Sequence, residues 1–69
     1  MFYLVNASYD QVHAFYMNQM AAEGWTFVGQ QTYGNSTTMT FERGTSLAFV
    51  GITPYADGTT EVGLVSISM

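Results

Sequence analysis

Apolar and polar side chains recur with two different periods along this chain, and the points where the period changes mark its elements. Val12, Tyr16 and Met20 return every four residues, with Tyr9 above them and Phe15 beside them, which lays one apolar stripe along a helix. Ser8 and Gln11 stand at the Ncap and N3 positions of a capping box, Ala7 and Val12 take the staple positions, and Asp10 puts a negative charge in the first turn, where the helix dipole favours it. Gly24 supplies the residue that enters the left-handed region past the last turn without a Cβ clash. The spacing predicts a helix over Tyr9 to Glu23.

Around the helix the period drops to two. Phe2 to Ala7 is rich in aromatic and branched residues and reads as a first strand. Trp25 to Tyr33 sets Trp25 and Phe27 against Thr26 and Val28. After a reversal at Gly34-Asn35-Ser36, Thr37 to Arg43 sets Met39 and Phe41 against Thr38, Thr40 and Glu42. Gly44-Thr45 turns the chain into Ser46 to Pro54, where Leu47 and Phe49 oppose Ala48, Val50 and Ile52. Asp57-Gly58 turns it again into Thr60 to Met69, where Val62 and Leu64 face away from Val65 and Ile67. The element order is β-α-β-β-β-β. The expected fold class is α+β in one domain, 1–69, with the helix packed on a four- to five-stranded, mainly antiparallel sheet. The first strand has two candidate places: parallel to a neighbour through the helical crossover, or at the far edge beside the last strand.

A chain of 69 residues buries only about 60% of its unfolded surface, so its margin of stability is narrow. It has no cysteine, so neither a disulfide nor a thiolate-held zinc supplies the difference. Self-association remains, and two patterns point to it. The outer side of the helix carries Ala14, Met17 and Ala21. Several strands are apolar on both faces, with Tyr3 and Val5 opposing Phe2 and Leu4, and Val50 and Ile52 opposing Leu47 and Phe49. Tyr33 and Tyr55 near turns, together with Tyr3, add contact residues of low entropic cost. The expected interaction surface is therefore Tyr3, Val5, Ala14, Met17, Ala21, Tyr33, Val50, Ile52 and Tyr55, and the expected state is a homodimer or larger homo-oligomer.

Charge and reactive groups narrow the functional classes. One Arg, no Lys and five carboxylates give a formal net charge of −4, so no basic patch is there to neutralise phosphates, and nucleic-acid binding is not expected. No apolar run approaches the roughly 20 residues that span a bilayer, and MFYLVNAS lacks the basic flank and apolar length of a secretory signal. His13 follows Asp10 by three residues, but no second histidine or adjacent nucleophile completes a catalytic set, and the pair supplies too few ligands for zinc. Glu23, Glu42, Asp57 and Glu61 have ordinary roles in turns and solvated faces. Trp25, Phe27, Phe41, Phe49, Tyr16 and Phe15 read first as core and second as the wall of an apolar pocket.

The segments VHAFYMNQMAAEGWTFVGQ, MTFERG and SLAFVGITPYADGTTEVGLV resemble a small domain found in the C-terminal part of many bacterial secreted proteins and lipoproteins of unknown function. Asp10, Val12, Phe15, Tyr16, Met20, Gly24, Trp25, Phe41, Arg43 and Gly44 take the places of its pattern, and AAEGWTFV matches the core of a second, looser group of short domains. The resemblance implies a β-α-β-β-β-β fold and an envelope or extracellular setting, and it brings no catalytic residue and no cofactor. This chain departs from that pattern in lacking basic residues on the helix surface, a signal and a lipid-attachment cysteine. The expectation is a non-enzymatic interaction or self-association module. Its alternatives are a small acidic inhibitor of phage type that docks on a host protein, and a carrier of an apolar ligand between Tyr16, Trp25 and Phe49.

Overall fold

The structure is a computed structural model, and it describes residues 1–68. Its elements are β1 (Phe2–Val5), α1 (Tyr9–Ala22), β2 (Thr26–Tyr33), β3 (Ser36–Arg43), β4 (Ser46–Pro54) and β5 (Thr60–Ser68). They form an α+β fold in the expected order, with one five-stranded sheet, β1-β5-β4-β3-β2, antiparallel at every pairing. The first strand takes the second of its two candidate places, at the far edge beside β5. Tyr3 stands opposite Val62 and Val5 opposite Thr60.

Helix α1 begins and ends as its flanking residues dictate. Ser8 accepts from the Gln11 amide while Gln11 accepts from the Ser8 amide, which satisfies two free donors of the first turn. At the other end Gly24 sits at φ +88, its amide reaches Ala21 and the Trp25 amide reaches Met20, the paired closure that ends a helix on a left-handed residue. The helix has no basic residue in its last turn. Arg43, the chain's one arginine or lysine, comes from the end of β3 instead: its Nη1 donates to the Glu23 carbonyl at 3.0 Å and its guanidinium lies 4.5 Å from the centre of the Trp25 ring.

Two short turns set the sheet's register. Gly34 and Gly44, each at the first central position with φ near +60, close two-residue hairpins whose twist matches the strands they join. The Gly44-Thr45 turn pairs Arg43 with Ser46, so Phe41 faces Ala48 and Met39 faces Val50 across the ladder. These residues point to the helix. Val12, Met39, Phe41, Ala48, Val50, Ile52 and Val62 are the buried apolar core among the described residues, with Tyr9, Tyr16, Met20, Trp25 and Leu64 packed against it. Two buried threonines are also satisfied: Thr60 donates to the Ala7 carbonyl at 2.7 Å, and Thr37 accepts from the Tyr9 hydroxyl at 3.1 Å. The longer β4–β5 loop is held by Asp57, whose Oδ1 accepts from both the amide and the hydroxyl of Thr59.

Candidate interaction surfaces

The register divides the sheet into two unlike faces. On the side away from α1 stand Phe2 and Leu4 of β1, Leu47 and Phe49 of β4, and Val65 and Ile67 of β5, with Leu47 beside Ile67 and Phe49 beside Val65. Phe2, Leu4, Val65 and Ile67 are 72%, 63%, 51% and 46% exposed, while Leu47 and Phe49 are half-buried. The patch is interrupted only by glycine. Gly51 and Gly63 are paired at its centre, and the Phe2 ring lies so close over Gly63 that a Cβ there would come within 2.6 Å of it. Glu42 and Glu61 stand at the borders, opposite Leu47 and Leu4, and no charged side chain lies between them. The remaining strands of this face, β3 and β2, present Thr38, Thr40, Thr26 and Gln31, with Tyr33 at the hairpin end, so the apolar half adjoins a largely polar half.

The helix side holds a second feature. Tyr3, Val5, Asn6, Ala7, Gln11, Val12, Phe15, Tyr16 and Val62 line a cleft of about 530 Å³ between the first half of α1 and the β1 edge. Its wall is mostly apolar, and Tyr3, Asn6, Gln11 and Tyr16 are the lining residues that carry polar groups. Burial pushes the Tyr3 hydroxyl above its ordinary pKa, because the phenolate is less well solvated there. A smaller cleft of about 360 Å³ lies toward the other end of the helix, between Met20, Trp25, Leu64 and Ser66.

The residues expected to make one interaction surface are dispersed. Tyr3 and Val5 line the helix-side cleft. Met17 packs against the core, and Ala14 and Ala21 are exposed on the helix. Tyr33 is 92% exposed at the β2–β3 turn. Tyr55 sits in the β4–β5 loop, where its hydroxyl donates to Glu61 at 2.6 Å, and that bond raises its pKa above the ordinary value. Val50 and Ile52 are corrected outright: both are buried under the helix and belong to the core. The register explains the inversion, since Ala48, Val50 and Ile52 share the face of Met39 and Phe41, which leaves Leu47 and Phe49 outward. Nor do Tyr16, Trp25 and Phe49 enclose one space, because Tyr16 lines the larger cleft, Trp25 lines the smaller one, and Phe49 points to the open face on the other side of the sheet.

The deciding signal was present in the sequence. Met39 and Phe41 alternate cleanly with threonines, so their side is unambiguous, and a two-residue turn at Gly44-Thr45 carries that assignment into β4 by counting. His13 has local partners: its Nε2 is 2.8 Å from Gln30 Oε1 and its ring stacks on Tyr9. Among the described residues no three His, Asp or Glu side chains are grouped as metal ligands, and no helix is long and apolar enough to cross a membrane.

A family model described as START domain-like matches residues 1–62, nearly the whole chain. The chain belongs to the START domain-like family. No curated protein and no solved structure matches it. Membership agrees with a small domain and assigns no reaction to the residues above.

Proposed function

We propose that this START domain-like chain is a non-enzymatic interaction module that works through the uncovered face of its sheet. The observation that carries this reading is the apolar patch of Phe2, Leu4, Leu47, Phe49, Val65 and Ile67, which has no charge within it and no second layer over it. A sheet buries one face against its helix and leaves the other to water when that other face is polar. Here the second face is apolar across three strands, and water contact with it costs free energy that a docked surface recovers. The test is a neutral apolar dye such as Nile red. Its emission should rise with the wild-type protein and fall when Val65→Asp and Phe2→Ser interrupt the patch, while a dye response indifferent to both changes would remove the patch from the function. A broad esterase and hydrolase screen completes it, and turnover abolished by His13→Ala would overturn the non-enzymatic reading.

A second reading has its own observation. The helix-side cleft has the volume and the mostly apolar lining, with a few polar points, of a small-ligand site. It takes an apolar molecule carrying one hydrogen-bonding group, seated between Tyr3, Phe15 and Tyr16. Thermal unfolding in the presence of fatty acids and flavins tests it, because a ligand that prefers the native state raises the midpoint with its concentration. An unchanged midpoint across the panel counts against the cleft. The likeness of MTFERG and its neighbours to domains of bacterial secreted proteins supports an envelope or extracellular setting, which fractionation of the producing cells would check.

A further inference from the structure

We infer that the occupant of the open sheet face is a second copy of this chain, packed face to face with its strands running antiparallel to those of the first. The inference rests on the docking reading of that face and names its partner.

Three features of the face support this occupant. The first is area: the domain measures 38 × 22 × 19 Å, so either of its long sides is on the order of 800 Å², the share each partner gives to a standard stable interface. The second is need. Seven apolar side chains make the whole buried core of the described residues, a thin one for a domain without disulfides, and a second sheet about 10 Å away would bury the exposed apolar layer as well.

The third is self-complementarity. A two-fold axis that lies in the interface, crosses the strands and passes level with Phe49 and Val65 sets each of these residues near its own counterpart. Leu47 then meets the second copy at Gly51, where the missing side chain leaves a hollow. Ile67 meets the second copy at Gly63, where the Phe2 ring lies. Leu47 therefore faces an open glycine position and Ile67 an aromatic ring, reciprocally in both copies, as one symmetric contact requires. Charge is compatible as well: the same axis places Glu42 over the second copy's Thr38 and carries Glu61 beyond the second copy's Ile67, so no carboxylate faces its own image. With a net charge of −4 on each copy, any arrangement that superposed the bordering glutamates would be opposed.

Sedimentation equilibrium at micromolar to tens-of-micromolar concentration tests this on wild type, Val65→Asp, Ile67→Asp and a helix-surface control, Asn18→Asp, with circular dichroism to show that each is folded. Wild type and the control should sediment near twice 7.6 kDa, and whichever of the two face variants folds should sediment near 7.6 kDa. Because the chain has no cysteine, Val65→Cys should also be joined to itself by a bis-maleimide spanning about 10 Å, and Asn18→Cys should not. A dimer that survives both face variants overturns the inference by placing the contact elsewhere. A monomeric wild type whose Nile red emission still depends on Val65 also overturns it, while leaving the docking face in place for another protein. A monomeric wild type with no such dye response removes both readings.

Discussion

Replacing Arg43 by Met should destabilise the domain by about 1–2 kcal/mol through three small terms that the structure separates. The guanidinium donates to the Glu23 carbonyl at 3.0 Å, one of the acceptors a helix leaves free at its end, and an exposed charge-assisted bond of this kind contributes about 0.5–1 kcal/mol. Its charge also opposes the negative end of α1, which carries Glu23 and no basic residue in the last turn, for about 0.3–1 kcal/mol. Stacking at 4.5 Å on Trp25 adds about 0.5–1 kcal/mol at an exposed site. Exposure and overlap of these terms keep the total below their separate maxima. Methionine retains the stem that covers the ring, so packing is largely preserved and the loss reports on the cation. For 69 residues total stability is roughly 3–10 kcal/mol, so the change is measurable as a shift of about 4–15 °C in melting temperature. Urea unfolding followed by the fluorescence of the single tryptophan, which lies under the arginine, is the assay. Arg43→Lys should fall between the two, keeping charge and losing the planar stack. A stability for Arg43→Met within a few tenths of a kcal/mol of wild type would refute the assignment of helix closure to this side chain.

Other expectations follow from single positions. Gly24→Ala should cost about 1 kcal/mol because φ +88 is strained for any residue with a Cβ, whereas Gly29→Ala, with open space around the added atom and no positive φ, should be close to neutral in the same urea titration. Phe41→Ala removes the largest fully buried side chain and should cost about 3–5 kcal/mol, enough to leave a large unfolded fraction visible by far-UV circular dichroism at 25 °C. Thr60→Val should cost about 1–3 kcal/mol by stranding the Ala7 carbonyl, and amide exchange should quicken first where β1 meets β5. The β4–β5 loop should respond to pH at both extremes. Thr59 holds Asp57 below its ordinary 3.8, so that contribution is present above this pH and fades as pH falls through the lowered value. Glu61 holds Tyr55 above its ordinary 10.0, so that contribution is present below pH 10 and fades as pH rises through the raised value. Two-dimensional NMR shifts of Thr59 and Glu61 across pH 2–12 would read both, and a flat profile at either end would refute the corresponding bond.

The sequence by itself determined whatever rests on neighbours along the chain. The capping box at Ser8 and Gln11, the stop at Gly24, the apolar stripe of Val12, Tyr16 and Met20, and the turns at Gly34 and Gly44 are local stereochemistry, and each element lies within a few residues of its expected bounds. Tertiary structure decided what depends on pairing between distant strands. β1 could pair at either of two places until its Tyr3 and Val5 met Val62 and Thr60 at the far edge. Strands apolar on both sides do not state which side is inward, since a period of two reads the same from either face. In β4 the count through the two-residue turn at Gly44-Thr45 already puts Val50 and Ile52 on the face of Met39 and Phe41, whereas the pairing of β5 and β1 beyond it, which sets Val65, Ile67, Phe2 and Leu4 beside Leu47 and Phe49 on the open side, is decided by the ladder alone. That choice of face converts a surplus of apolar residues, visible in composition, into a surface with a position and a shape.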